Sequence, residues 1–131
     1  FPSSLPLYIV KGERRGTPST PYEQAMKKNK NIYVVELDEA VRTKKKFTEA
    51  NPNPNSALPC LYVGRTGLTP VERFEKHKAG HKSSRMVKHF GIKLRPELYE
   101  HLNPMTSEEV ELMEETHAET LRALGYAVWQ K

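Results

Sequence analysis

Residues 61–77 read Leu-Tyr-Val-Gly-Arg-Thr-Gly-Leu-Thr-Pro-Val-Glu-Arg-Phe-Glu-Lys-His, and the architecture turns on this stretch. Leu61, Tyr62 and Val63 end an apolar run that begins at Ala57, and Gly64 reads as the turn that closes the strand. Helix signals follow at once. Thr69 is a natural N-cap, Pro70 suits the first helical position, and Glu72 completes a Thr-x-x-Glu capping box. Gly80 stands where a helix ends in the left-handed conformation, so the spacing predicts a helix over 69–79. Arg73 and His77 are four residues apart and therefore share one helical face.

Upstream, residues 31–37 (Asn-Ile-Tyr-Val-Val-Glu-Leu) form a second strand, dense in β-branched and aromatic side chains. Between the strands, 38–50 reads as a helix with Val41 and Phe47 on its apolar side, followed by the loop Asn51-Pro52-Asn53-Pro54-Asn55-Ser56. Residues 1–30 are a partly irregular N-terminal extension, with a strand candidate at 5–10 and a short helix around 22–28; residues 31–131 form the main domain. Downstream, a short helix over 84–90 is stopped by Gly91, and 92–99 is extended, with Pro96 favouring a sheet edge. Thr106 or Ser107 caps a long helix that reaches Leu124 and stops at Gly125, and 126–129 form a last strand.

With 131 residues the chain has the length of one domain, and 37% hydrophobic residues leave a polar surface. No apolar run has the length of a membrane span, and Phe1 to Pro6 lack the basic-then-apolar pattern of a signal peptide. A start at Phe rather than Met suggests that residues once preceded it. The single cysteine, Cys60, excludes an internal disulfide framework and favours a reducing, cytoplasmic setting. The net charge of +5 is unevenly spread. Residues 76–95 carry seven Lys/Arg, three His and no acid, whereas 96–131 carry eight Glu against Arg122 and Lys131. Lys76, Lys78, Lys82, Arg85 and Lys88 are thus candidates to meet a polyanion, since phosphates that they neutralise release counterions. A solvated basic face is the alternative.

Strand alternation puts Tyr33 with Val35 on one face, and Cys60 with Tyr62 on one face of the other strand. If the strands pair, both tyrosines lie near the same end of the sheet. Arg65 and Arg73 offer forked donors that match phosphate oxygens, and His77 can hydrogen-bond a phosphate or relay a proton. On the last helix, Val110, Met113, His117, Ala118 and Leu121 form an apolar stripe with Glu114 in its middle. An inward carboxylate needs a cation or donors, so Glu114 is a candidate ligand for a hard metal such as Mg²⁺. Glu111, Glu115 and Glu119 face outward.

The order of these parts resembles the GIY-YIG nuclease superfamily. Asn31-Ile32-Tyr33 matches its first motif, Tyr62-Val63-Gly64 its second, 69–80 its arginine helix, and 107–124 the late helix with a metal-binding glutamate, Glu114. Asn31 replaces the family's glycine, Val63 its isoleucine, and Arg65 a lysine found in many members. Tyr8-Ile9-Val10-Lys11-Gly12 mimics a motif but precedes the core and lacks companions. The resemblance implies a small α/β (α+β) domain in which helices flank a central three-stranded antiparallel sheet. It also implies phosphodiester hydrolysis in DNA, most readily double-stranded, with one Mg²⁺ or Mn²⁺ on Glu114. Tyr33 or Tyr62 would act as base once nearby cations lower its pKa, Arg65 and Arg73 would stabilise phosphate charge, and His77 would assist a tyrosine or bind phosphate. Such domains often work with a partner protein or as a homodimer. Two other readings stand beside the endonuclease: a catalytically silent nucleic-acid-binding module on the same scaffold, and a protein-interaction domain with a merely solvated basic stretch.

Overall fold

The two apolar runs pair as the centre of the sheet. In a computed structural model, which describes residues 20–130, β1 (Asn31–Leu37) runs antiparallel to β2 (Cys60–Thr66). Ile32, Tyr33, Val34 and Val35 are all buried, so β1 is covered on both faces rather than on alternate residues. The strand expected at 5–10 and the motif mimic Tyr8-Ile9-Val10-Lys11-Gly12 lie outside the described residues.

The protein is a small α+β fold, with a four-stranded mixed sheet in the order β3-β1-β2-β4. β3 (Gly91–Leu94) is antiparallel to β1 and completes an antiparallel trio. The expected count of three is corrected by β4 (Ala127–Gln130), which joins the far edge parallel to β2. The long helix before β4 carries the chain back along the sheet, so the returning strand enters in the direction of β2.

The helices signalled by Thr69 and Thr106 form after those residues, and the short helix expected around 22–28 forms one residue earlier, over 21–26. α1 (Pro21–Met26), α3 (Pro70–Ala79) and α5 (Ser107–Ala123) each begin with a Thr-x-x-Glu capping box, from Thr20, Thr69 and Thr106. Each such cap stabilises its helix by about 1 kcal/mol. Gly80 and Gly125 have positive φ, 87° and 107°, where a side chain would be strained. α5 buries Val110, His117, Ala118 and Leu121 and packs on β2 and β4.

Four boundaries differ from expectation, each for a local reason. The 38–50 helix is broken into a 3₁₀ turn (Glu39–Thr43) and α2 (Lys45–Ala50) because Lys44 is extended, although Val41 and Phe47 are buried as expected. β2 starts at Cys60, since Leu58 N–H bonds back to Asn55 in a turn and Pro59 has no N–H for the ladder. Gly64 is not a turn but an interior residue of β2, opposite Tyr33. β3 ends at Leu94 because Pro96 opens a 3₁₀ turn (Pro96–Leu98), and Gly91 after α4 (Arg85–Phe90) is the first residue of β3.

Two asparagines complete the edges. Asn51 is buried and bonds through its side-chain NH₂ and carbonyl to the backbone oxygen and N–H of Val128 on edge strand β4. Asn103 does the same for Ile32, beyond the reach of short β3. Each amide thus replaces a missing strand and pairs backbone groups at the sheet edge, with Arg122 as a second donor to the Val128 carbonyl.

Candidate active site

The β1–β2 register builds the first half of the site. Tyr33 sits opposite Gly64 and Val35 opposite Tyr62, so the two tyrosines share a sheet face. A Cβ added at Gly64 would lie 2.6 Å from the Tyr33 ring carbon and hydroxyl, and 2.9 Å from the Tyr62 ring. The glycine therefore provides the room in which the Tyr33 ring lies across β2. Helix α3 supplies the third ring. Tyr33, Tyr62 and His77 form a near-equilateral cluster, with centroid separations of 6.1, 5.8 and 5.9 Å.

Hydrogen bonds give this cluster a direction. The backbone N–H of Ser84 donates to His77 Nδ1 at 3.1 Å, so neutral His77 carries its proton on Nε2. Nε2 is 2.7 Å from the Tyr33 hydroxyl and donates to it. Burial, helped by the Arg73 charge, pushes His77 down to about 4, which keeps it neutral at physiological pH. His77 is 1% exposed. It is absent from the pocket wall and cannot meet phosphate there, so of its two expected roles only the one acting through a tyrosine remains.

Tyr33, Tyr62, Arg65, Arg73 and Glu114 line one pocket of about 250 Å³. Arg65 comes from the end of β2, Arg73 from the first turn of α3, and Glu114 from the middle of α5. The Glu114 side chain is 14% exposed, and Arg65 stands 3.7 Å from it and 3.6 Å from exposed Glu111. Arg73 directs two donors to the carbonyls of His81 (3.2 Å) and Lys82 (2.6 Å), fixing the guanidinium against the loop after α3.

Burial raises the pKa of both tyrosines, which corrects the expectation that neighbouring cations bring one below its ordinary value. For Tyr33 the rise is large: burial leads, the Tyr62 hydroxyl adds to it, and Arg73 opposes. For Tyr62 burial leads, Tyr33 and Ser84 counter it, the Glu114 charge adds to the rise, and Arg73 opposes more weakly. As for a metal, no group of three or more His, Cys, Asp or Glu is clustered among the described residues. The donor set fits a hard ion of the Mg²⁺ type, which takes one or two carboxylates and keeps several waters. Glu114 is the carboxylate available in this pocket.

The basic residues divide. Lys78 donates to the carbonyls of Lys88 (3.2 Å) and Gly91 (2.9 Å), so it ties α3 to the end of α4 rather than facing a ligand. The Lys88 ammonium folds against Gly80. Lys76 and Lys82 are exposed and stand outside the pocket wall. Arg85 lines a different groove, with Lys44, Lys45 and Lys46.

Sequence reasoning misses Ser84, whose contribution to His77 is a backbone N–H and leaves no trace in residue type. It also misses the Lys44-Lys45-Lys46 run, a signal visible in the sequence but distant from the motifs. Among the described residues, no helix is long and apolar enough to cross a membrane. Compared with protein-family models, curated proteins and solved structures, the chain matches none.

Proposed function

We propose that the chain is a divalent-metal-dependent endonuclease of the GIY-YIG kind, hydrolysing phosphodiester bonds in DNA. The observation that carries this reading is the single pocket shared by two tyrosines, two arginines and a glutamate drawn from four separate elements. Such a set offers a base, an anion clamp and a hard carboxylate within reach of one phosphate.

The hydrogen-bond direction favours Tyr62 as the base. Ser84 donates to His77 and His77 to Tyr33, which leaves the Tyr33 hydroxyl proton free to turn towards the neighbouring Tyr62. Tyr62 is thus the end of the chain. Its phenolate is the form that donors from Tyr33 and Ser84 stabilise, whereas Tyr33 is held protonated. Tyr62 then takes the proton of the attacking water. Arg73, anchored by two carbonyls, and Arg65 neutralise charge that develops on the phosphate oxygens. Glu114 would hold a Mg²⁺ or Mn²⁺ ion, which would supply Lewis acidity at the phosphate. Cys60 is a buried free thiol, in keeping with a cytoplasmic protein.

The test is cleavage of duplex, branched and single-stranded DNA with Mg²⁺, Mn²⁺ or EDTA, for the parent, Glu114→Gln and Arg73→Ala. Loss of one charge-stabilising donor costs about 10²–10³-fold in rate. Losses of that size in folded variants support the assignment, and parental rates would refute it. Binding without cleavage under any metal would instead identify a silent binding module.

A further inference from the structure

A second concave surface adjoins the active pocket on the same sheet face. It is a groove of about 890 Å³ between α2, α4 and β4, and no acidic side chain lines it. Lys44, Lys45, Lys46 and Arg85 supply its charge, and Phe90 and Trp129 supply aromatic surface. The four cations are exposed, and the one ion pair they make among the described residues is a loose contact of 3.9 Å between Lys45 and exposed Glu49. Lys44 stands 5.9 Å from the Phe90 ring centroid.

Two links join this groove to the proposed site. Trp129 is the register partner of Tyr62 across β2–β4, so the two side chains point to the same face one strand apart, about 4.8 Å. Ser84 lines the groove while its backbone N–H holds His77, whose ring packs edge-on against Tyr62. A polymer entering the pocket at Tyr62 therefore meets the groove within one strand spacing.

Cationic side chains around aromatic faces are the chemistry that holds single-stranded nucleic acid. The charges follow the backbone while the rings stack on unpaired bases. A duplex has its bases covered and would use only the charges. We propose that this groove is the track for a single-stranded stretch of DNA leaving the active pocket, with phosphates on Lys44, Lys45, Lys46 and Arg85 and a base against Trp129. The inference rests on the nuclease reading for its direction, and it specifies a substrate unpaired beside the cut.

Trp129 is the one tryptophan in the sequence, so its fluorescence reports on the groove alone. The experiment titrates oligothymidylate into the protein in EDTA and reads quenching of Trp129. A blunt duplex is the comparison, and Lys44→Ala/Lys45→Ala/Lys46→Ala is the variant. These lysines are exposed, and circular dichroism checks that the variant folds. Expected are quenching by the single strand, weak quenching by the duplex, and loss of affinity in the variant. The salt slope should fall by about 2, at roughly 0.7 per phosphate contact on a single strand. Trp129→Leu, followed by anisotropy of a labelled oligonucleotide, should weaken binding on the order of tenfold. Absence of quenching, equal quenching in the triple variant, or stronger quenching by the duplex would overturn the track. Quenching in a protein that fails to cleave with either Mg²⁺ or Mn²⁺ supports the track and refutes the nuclease, while cleavage without quenching does the reverse.

Discussion

Replacing Gly64 by alanine should damage both stability and the proposed chemistry, through a steric cause that the structure makes explicit. The new Cβ would lie 2.6 Å from Cζ and Oη of Tyr33, where ordinary contact starts at 3.4 Å. The phenol must therefore retreat by roughly 0.8 Å in a close-packed interior. It has little room to do so: Tyr33 is 1% exposed, its hydroxyl is held at 2.7 Å by His77, and the Tyr62 ring packs beside it and itself lies only 2.9 Å from the added Cβ. Overpacking of this kind costs about 1–3 kcal/mol, and a weakened buried hydrogen bond adds about 1 kcal/mol. Backbone strain is not the cause, because the described glycines with positive φ are Gly80 and Gly125. Urea unfolding of the parent, Gly64→Ala, Tyr33→Ala and the double variant measures the effect. In the double variant the contact with Tyr33 is gone and the Tyr62 ring has the vacated space to move into, so the alanine should cost much less, with a coupling of about 1–3 kcal/mol. Cleavage should fall on the order of 100-fold in Gly64→Ala, the cost of moving a reacting group by about 1 Å. A destabilisation below about 0.5 kcal/mol, within the range of neutral surface changes, would refute the packing argument. So would a cycle without coupling.

Stability should also fall between pH 7 and pH 5. His77 is held near 4 in the folded chain against 6.5 for a free imidazole, so below pH 6.5 the unfolded state binds the extra proton. The contribution is complete above about pH 6.5 and is lost progressively towards pH 4; His77 accounts for about 1–2 kcal/mol of it. Buried His117, also lowered, acts in the same direction. Urea unfolding at the two pH values checks this, and a flat profile would contradict a neutral, buried His77. Asn51→Ala should destabilise by about 1–3 kcal/mol, because it strands the N–H of fully buried Val128, while the Val128 carbonyl keeps Arg122 as a donor. Unfolding midpoints and the amide exchange rate of Val128 measure it, and an unchanged rate would show that water replaces the side chain.

Caps and periodicity made much of this fold legible. β1 has the bounds that its β-branched run indicates, α3 lies between Thr69 and Gly80, and α5 starts after Thr106 and presents the apolar stripe with Glu114 among it. Even the terminal strand was visible, though its direction was not. The illegible parts depend on distant partners. Gly64 carries the same letter in a turn as in a strand, and its role comes from the ring of Tyr33, which lies 31 positions earlier. The sharing of one pocket by Tyr33, Tyr62, Arg65, Arg73 and Glu114 follows from register and helix placement, which no local window contains.

Residue types and spacing therefore decided the local elements and the candidate chemical groups, because capping, helical phase and strand alternation act over a few residues. Tertiary structure alone decided the use of those groups. It made β4 parallel, turned His77 from a possible phosphate ligand into a donor to Tyr33, and tied Lys78 to backbone carbonyls. It also brought a lysine run and the sole tryptophan beside Tyr62. The physical reason is common to all of these. Burial and hydrogen-bond direction are properties of what packs against a side chain, and the packing partners are set only when the sheet closes.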